Sequence, residues 1–208
     1  MDRVLDLLGA PQEWRLLMTR QRLAGFSLIE LLVTITIVAI LVALAVPNYR
    51  VWMANTRVRG AAESIQNGLR IARNEASQRG VNVRFELTST DSTWQVCQLA
   101  SAATTCDTTG IIETHSVADT KGAIVTASKA VTALTDFSAV SGNIPGGITF
   151  TPLARPLSTD YGSNAIIRID TASSTPGTRR LATTISAGGS IQMCDTGLAK
   201  STAANGCL

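Results

Sequence analysis

The chain has 208 residues, 45% of them hydrophobic but only 4% aromatic, with 18 basic and 15 acidic side chains and a formal net charge of +3. That length suits one modest core rather than several domains, and so small a charge excess gives no strong electrostatic footprint for nucleic acid. Four cysteines and a single histidine leave little material for a metal site or for histidine-based catalysis.

Residues 1–17 hold a mixed stretch, Val4-Leu5-Asp6-Leu7-Leu8, that adds nothing to the basic and apolar segments after it, so translation is expected to start at Met18. Arg20, Gln21, Arg22, Leu23, Ala24 and Gly25 then form a basic polar leader ending in glycine. From Phe26 to Val46 run 21 residues with one ionisable side chain, Glu30. As a helix rising ~1.5 Å per residue this is roughly 30 Å, the thickness of a bilayer's hydrocarbon core. A carboxylate inside such a segment costs about 2.5 to 3.5 kcal/mol on insertion scales, less near the end than at the centre. Glu30 therefore needs a partner, or must snorkel to the interface. No Ala-x-Ala cleavage site follows the run, so the basic flank is expected to stay in the cytoplasm and the C-terminal part to be exported.

Gly25-Phe26-Ser27-Leu28-Ile29-Glu30-Leu31 resembles the class III signal of type IV pilins and type II secretion pseudopilins. The resemblance implies that a prepilin peptidase cuts after Gly25 and that Phe26, the new N-terminus, is N-methylated. Glycine suits the cut, since it lets the backbone approach a protease closely. The resemblance also implies that Glu30, fifth in the processed chain, pairs with a neighbouring subunit's terminal amine during assembly. Opposite charges hold each other far more strongly in a low-dielectric medium than in water, so this would supply the missing partner. Pro47 matches the proline that kinks and loosens the pilin helix as it leaves the membrane. A plain signal anchor accounts for the apolar run but not for the flank. Removing residues 1–25 would leave 183 residues with 14 basic and 12 acidic side chains.

After Pro47 the helix is expected to resume, because Val58, Ala61 or Ala62, Ile65, Leu69, Ala72 and Ala76 recur at three- and four-residue steps. The opposite face carries Arg50, Arg57, Arg59, Arg70, Arg73 and Arg79 against Glu63 and Glu75, and a solvated face explains this better than a binding stripe. Arg79 and Gly80 supply a basic last turn and a cap. Within this stretch Leu69 to Ala76 fits the pattern L-x-x-A-R-x-E-A and is similar to the end of the long helix in the GspH, FimT and FimU subfamily.

Strands are expected from there on. Val81, Val83, Phe85 and Leu87 alternate with Asn82, Arg84 and Glu86, the period of a half-buried strand. Thr93 to Leu99 reads as its hairpin partner around Asp91-Ser92. Ile111-Ile112, Ala123 to Thr126, Ile148 to Phe150, Ala165 to Ile169, Leu181 to Ile185 and Ser190 to Cys194 supply further short strands. Ala127 to Val140 reads as loop, residues 141–147 as a turn-rich link, and residues 173–177 as a hairpin tip. A helix followed by antiparallel strands is an α+β order. All four cysteines lie beyond the apolar run, and an even count in an exported domain favours disulfides. Three pairings are possible, and the expectation is the two short loops, Cys97 with Cys106 and Cys194 with Cys207.

His115 has no nucleophile motif beside it and reads as a surface residue, and no Cys-x-x-Cys pair is present for a metal. Gly188-Gly189-Ser190 lacks the lysine and spacing of a phosphate loop and reads as a turn. Some FimT proteins capture DNA through a Gly-Arg-x-Arg segment just before a cysteine; here Gly189-Ser190-Ile191-Gln192-Met193-Cys194 has neither arginine. Arg179-Arg180, at the expected hairpin tip, is the nearest substitute, able to touch phosphates but not to read sequence.

The sequence thus predicts an α+β protein with a leader at 1–25, a transmembrane helix at 26–46, its soluble continuation at 47–80, and a globular β-rich head, an antiparallel sheet, at 81–208. The resemblance implies a minor pilin or type II secretion minor pseudopilin, held in the inner membrane by one pass with the N-terminus cytoplasmic and the head periplasmic. Its partners would be the prepilin peptidase, other pilins or pseudopilins and membrane lipid, with no enzyme activity, cofactor or metal. DNA binding during natural transformation is the alternative function, with nucleic acid as the partner.

Overall fold

The computed structural model describes residues 25–100, 103–116, 121–128, 146–157, 167–199, 201 and 203–207. Two units divide the chain, residues up to Ala43 and residues from Leu44 onward. One helix, α1 (Leu28–Arg79, 52 residues), begins in the first and ends in the second. In the first unit Leu28 to Ala43 is helical and all its side chains are exposed. Leucine, isoleucine and valine point outward all round this segment, so it has no polar side to turn to water and no single face to bury.

In the second unit the helix passes through Pro47 without interruption, rather than stopping and resuming. The proline withdraws one N–H from the ladder and crowds the carbonyl of Ala43, four residues earlier. Helical residues on both sides hold the helix together across that one missing bond. From Ala54 onward a stripe of small and aliphatic residues turns inward: Ala54, Val58, Ala61, Ala62, Ile65, Gly68, Leu69, Ala72 and Ala76 are buried. Gly68 matters most to the fit. A β-carbon there would lie 2.8 Å from the Phe85 ring and 3.0 Å from the Trp94 indole. The helix ends at Gly80, which takes a φ of +67° and donates its N–H to the Ala76 carbonyl at 3.0 Å, a left-handed glycine cap.

Among the described residues eight strands follow, and they divide between two antiparallel sheets rather than forming one. The first holds β1 (Val83–Leu87), β2 (Trp94–Gln98), β3 (Ile111–His115) and β5 (Gly146–Phe150), in the order β3-β2-β1-β5. The second holds β4 (Ala123–Ser128), β6 (Arg168–Ser173), β7 (Leu181–Ile185) and β8 (Ile191–Asp195), in the order β4-β6-β7-β8. Because β4 joins the second sheet while β5 returns to the first, the chain crosses between sheets repeatedly. Both contribute to one core with the helix: Ile65 and Leu69 of α1 pack with Phe85, Val96, Phe150, Val125, Ile169 and Ile185. At the β7–β8 turn Gly189, with φ +82°, lies so close to the Ala154 carbonyl that a β-carbon would come within 2.1 Å of it. Only glycine fits there.

Three expectations need correction. Ala127 and Ser128 belong to β4, not to a loop; their threonine- and serine-rich surroundings hide an edge strand paired to β6. Residues 129–140 of that loop, and residues 141–145 of the turn-rich link, lie outside the described residues. Strand β6 runs from Arg168 to Ser173, past the Ile169 at which it was expected to end, because its pairing register with β4 extends that far; residues 165–166 of that expectation lie outside the described residues. Strand β1 is buried along its whole length rather than on one face. Its polar face carries a network: Arg84 Nε donates to Glu86 Oε1 at 3.3 Å, Arg84 Nη1 donates to Thr149 Oγ1 at 3.3 Å, and Gln95 Nε2 donates to Glu86 Oε2 at 3.0 Å.

The second sheet repeats this device more tightly. Arg168 grips Asp170 with two bonds, Nε to Oδ2 at 3.0 Å and Nη2 to Oδ1 at 2.9 Å, and the two side chains are 2% and 0% exposed. Arg180 approaches the same carboxylate, Nε to Oδ1 at 3.7 Å. A buried pair of this kind adds little net stability over apolar residues, but removing one partner strands a buried charge.

Asp170→Ala is therefore expected to cost about 3 to 5 kcal/mol in denaturant unfolding of the processed chain in detergent. Glu63→Ala, which breaks the exposed Arg59–Glu63 pair, is expected to cause no measurable change, and equal effects would refute the distinction. Gly68→Ala is expected to destabilise by about 1 to 3 kcal/mol through overpacking against Phe85 and Trp94; an unchanged midpoint would mean that the rings yield freely. In the β1–β2 turn, Thr93 Oγ1 donates to Asp91 Oδ1 at 2.7 Å, which holds the Asp91 carboxyl below its ordinary range. A depressed folded pKa means that its contribution to stability is present at neutral pH and fades as pH falls through that lowered value. Thr93→Val is expected to move the Asp91 titration upward by NMR, and an unmoved titration would reject the hydroxyl as the cause.

Candidate functional site

The N-terminal segment presents its chemistry at the entry to α1. Gly25, Phe26 and Ser27 precede the helix, so the Gly25–Phe26 bond lies in backbone free of helical hydrogen bonds, as a peptidase needs. Ser27 stands at the helix start, and its carbonyl accepts the Leu31 N–H at 3.1 Å. Ser27-Leu28-Ile29-Glu30 also has the S-x-x-E spacing of a capping box, a local signal for the helix start that hydropathy alone does not show. Glu30 falls in the first turn, where a carboxylate is favoured by the helix dipole. It is exposed, and among the described residues it has no ion-pair partner. Phe26 is 82% exposed, and Leu28 to Val46 present a continuous series of exposed apolar side chains.

A second feature lies wholly within the unit that begins at Leu44. Between α1 and the ends of β7 and β8 opens a cavity of about 480 Å³, lined by Trp52, Asn55, Arg59, Arg179, Met193 and Asp195 among others. The turn before β7 is tied to the helix, because the Arg179 N–H donates to Asn55 Oδ1 at 2.7 Å. The C-terminal tail closes the other side. Cys194 is bonded to Cys207 with an S–S length of 2.08 Å, and the Asp195 N–H donates to the Asn205 carbonyl at 2.8 Å. In the first sheet Cys97 is bonded to Cys106, with Cα atoms 5.7 Å apart, which pins the loop leaving β2.

The expected pair of phosphate contacts does not present itself as a pair. Arg179 is exposed at the cavity rim, whereas Arg180 turns toward the buried Asp170 with its side chain 19% exposed. In sequence the two look alike; in the segment that leads into β7 one side chain reaches the cavity rim and the other the Asp170 carboxylate. The expected surface histidine is also placed otherwise. His115 stacks on Trp94, ring centroids 5.5 Å apart and planes 16° apart, while the Trp94 Nε1–H donates to Ser64 Oγ at 3.0 Å. His115 is thus part of the packing at the edge of the first sheet and does not line the cavity. Among the described residues no group of three histidine, cysteine or acidic side chains could hold a metal ion. Nothing in the cavity combines a nucleophile with a histidine base, the arrangement that nucleophilic catalysis most often uses.

Comparison with known proteins agrees with these surfaces. Residues 20–46, which include the Gly25–Phe26 junction and the whole apolar run, match the prokaryotic N-terminal methylation motif. Residues 61–189 match the family described as type II transport protein GspH. Among solved structures the chain is similar to the type IV minor pilin FimU of Pseudomonas aeruginosa, at 18% identity over 72% of this chain and 99% of that one, with a TM-score of 0.39. With the GspH match spanning more than half of its residues and a methylation motif ahead of it, the chain belongs to the GspH family of pilin-like proteins.

Proposed function

We propose that this chain is a minor pilin or minor pseudopilin whose task is mechanical. A prepilin peptidase removes residues 1–25, Phe26 is methylated, and the processed subunit waits in the inner membrane with its head in the periplasm. It then joins a type IV pilus or a type II secretion pseudopilus, at or near the tip, by packing its helix among those of other subunits. Glu30 pairs with the terminal amine of a neighbour and so sets the axial register. The head presents an interface and performs no chemistry of its own.

One observation supports this above the rest. The side chains from Phe26 to Val46 are exposed and, Ser27, Glu30, Thr34 and Thr36 apart, apolar, and the single acid among them, Glu30, has no partner among the described residues. Such a surface is stable only in lipid or against other apolar helices, and such a carboxylate calls for a cation from outside its own chain.

Mass spectrometry of the membrane-extracted protein is expected to show a chain beginning with methylated Phe26. Glu30→Ala is expected to leave processing and membrane level unchanged while removing the subunit from sheared fibres. Normal incorporation of that variant would overturn the role of Glu30, and an intact leader in cells possessing the peptidase would overturn the whole reading.

A further inference from the structure

Beyond the last residue of the apolar run, Val46, two large aromatic side chains stand exposed on the helix. Tyr49 and Trp52 are each 60% exposed, three residues apart, with ring centroids 5.8 Å from one another. The other described tryptophan shows what the head does with an indole it means to keep: Trp94 is buried and its Nε1–H is bonded to Ser64. Trp52 has no such cover. At ~1.5 Å per residue, the Cα atoms of Tyr49 and Trp52 lie about 4.5 Å and about 9 Å along the helix past Val46, and helical side chains lean back toward the N-terminus, which brings the Trp52 ring nearer the apolar run than its Cα. The headgroup layer on each side of a ~30 Å hydrocarbon core is about 5 to 8 Å deep. Tyrosine and tryptophan favour that layer because an apolar ring body and a polar O–H or N–H can each meet the medium it prefers.

Charge points to the same partner. Arg50 lies between the two rings in sequence and is exposed. Of the arginines that follow, Arg50 lies about 6 Å along the helix past Val46, whereas Arg57 and Arg59 lie more than ~15 Å past it and Arg59 is paired with Glu63. A cation directly after an apolar run, as Arg50 is, is attracted to anionic phospholipid by about 1 kcal/mol when close to the surface. The buried stripe of Ala54 and Val58 faces the head; Tyr49 and Arg50 stand outside it, and Trp52, at the rim of the cavity beside β7 and β8, keeps more than half of its surface open.

We propose that Tyr49, Trp52 and Arg50 form an interfacial clamp on the phospholipid headgroups of the bilayer, fixing the depth of the helix before assembly. This rests on the reading of the chain as a membrane-held subunit. The clamp adds a step to that reading, because a subunit entering a fibre must first strip these side chains from the headgroups.

The test uses the processed chain, residues 26–208, in phosphatidylethanolamine and phosphatidylglycerol vesicles at a protein-to-lipid ratio low enough to isolate copies. It contains Trp52 and Trp94, so the difference from Trp52→Phe isolates the signal of Trp52. Quencher-labelled lipids report depth. The expected result is loss of Trp52 emission with a headgroup quencher and little loss with one near the acyl chain end. Arg50→Gln, or phosphatidylcholine in place of phosphatidylglycerol, is expected to weaken the headgroup quenching. In a Val38→Trp variant the deep quencher is expected to act on the new indole. If it does so while Trp52 escapes the headgroup quencher, the clamp is refuted and the membrane reading stands. If the deep quencher fails on Val38→Trp, the membrane reading falls and the clamp with it. Trp52 shielding from lipid that appears only at high protein density would identify a neighbouring subunit as the occupant and refute the clamp.

Discussion

An apolar helix with no polar side imposes the constraint on which everything else depends. From Phe26 to Val46 exposed hydrophobic side chains point in every direction, and a domain of this size has too little apolar surface to cover them. Only two media accept such a segment, lipid and a bundle of similar helices. The family match at residues 20–46 places the segment among chains that carry the N-terminal methylation motif. Glu30 sharpens the constraint, since its carboxylate is the one group in the run that distinguishes between those media.

The remainder of α1 solves a different problem with different residues. Its inward stripe holds five alanines and a glycine beside Val58, Ile65 and Leu69, so the strands approach the helix axis closely and Phe85 and Trp94 lie directly against Gly68. Small side chains contribute little burial individually. The gain is close contact with two sheets at once, in a core that takes residues from both. The chain's repeated crossing between sheets then makes the unit from Leu44 onward one cooperative body, and the two disulfides secure its loose segments, one after β2 and one at the C-terminal tail.

Legibility in the sequence followed the range of the interaction. The helix, its inward face and its glycine cap could be read because each is set by neighbours within four residues. Most strands could be located by alternation, but not their division between two sheets, since pairing β1 with β5 and β4 with β6 is decided by contacts far apart in sequence. The charged positions misled for a physical reason. Arg84 and Glu86 alternate with apolar residues as solvent-facing ones do, and only the fold reveals that their face is covered and that the charges satisfy one another. Arg179 and Arg180 looked equivalent because the buried Asp170 that draws one of them inward is distant in sequence. The cavity beside Arg179 was not legible, because helix, hairpin and tail meet there from three separate parts of the chain.

Under the proposed function, the apolar run exchanges one greasy environment for another as it moves from bilayer to fibre. Lipid tails are as apolar as leucine, so the hydrophobic effect that dominates folding in water contributes almost nothing to that exchange. Packing and polar pairing must then decide it. Under the proposed function, a Glu30 that meets a cation in the fibre and none in lipid favours assembly by the difference. Tyr49, Trp52 and Arg50, stable at the interface, oppose it by the loss of their headgroup contacts. The balance between one acid near the start of the helix and an aromatic clamp just beyond its apolar run then sets how readily the subunit leaves the membrane, while the head determines which neighbours it meets.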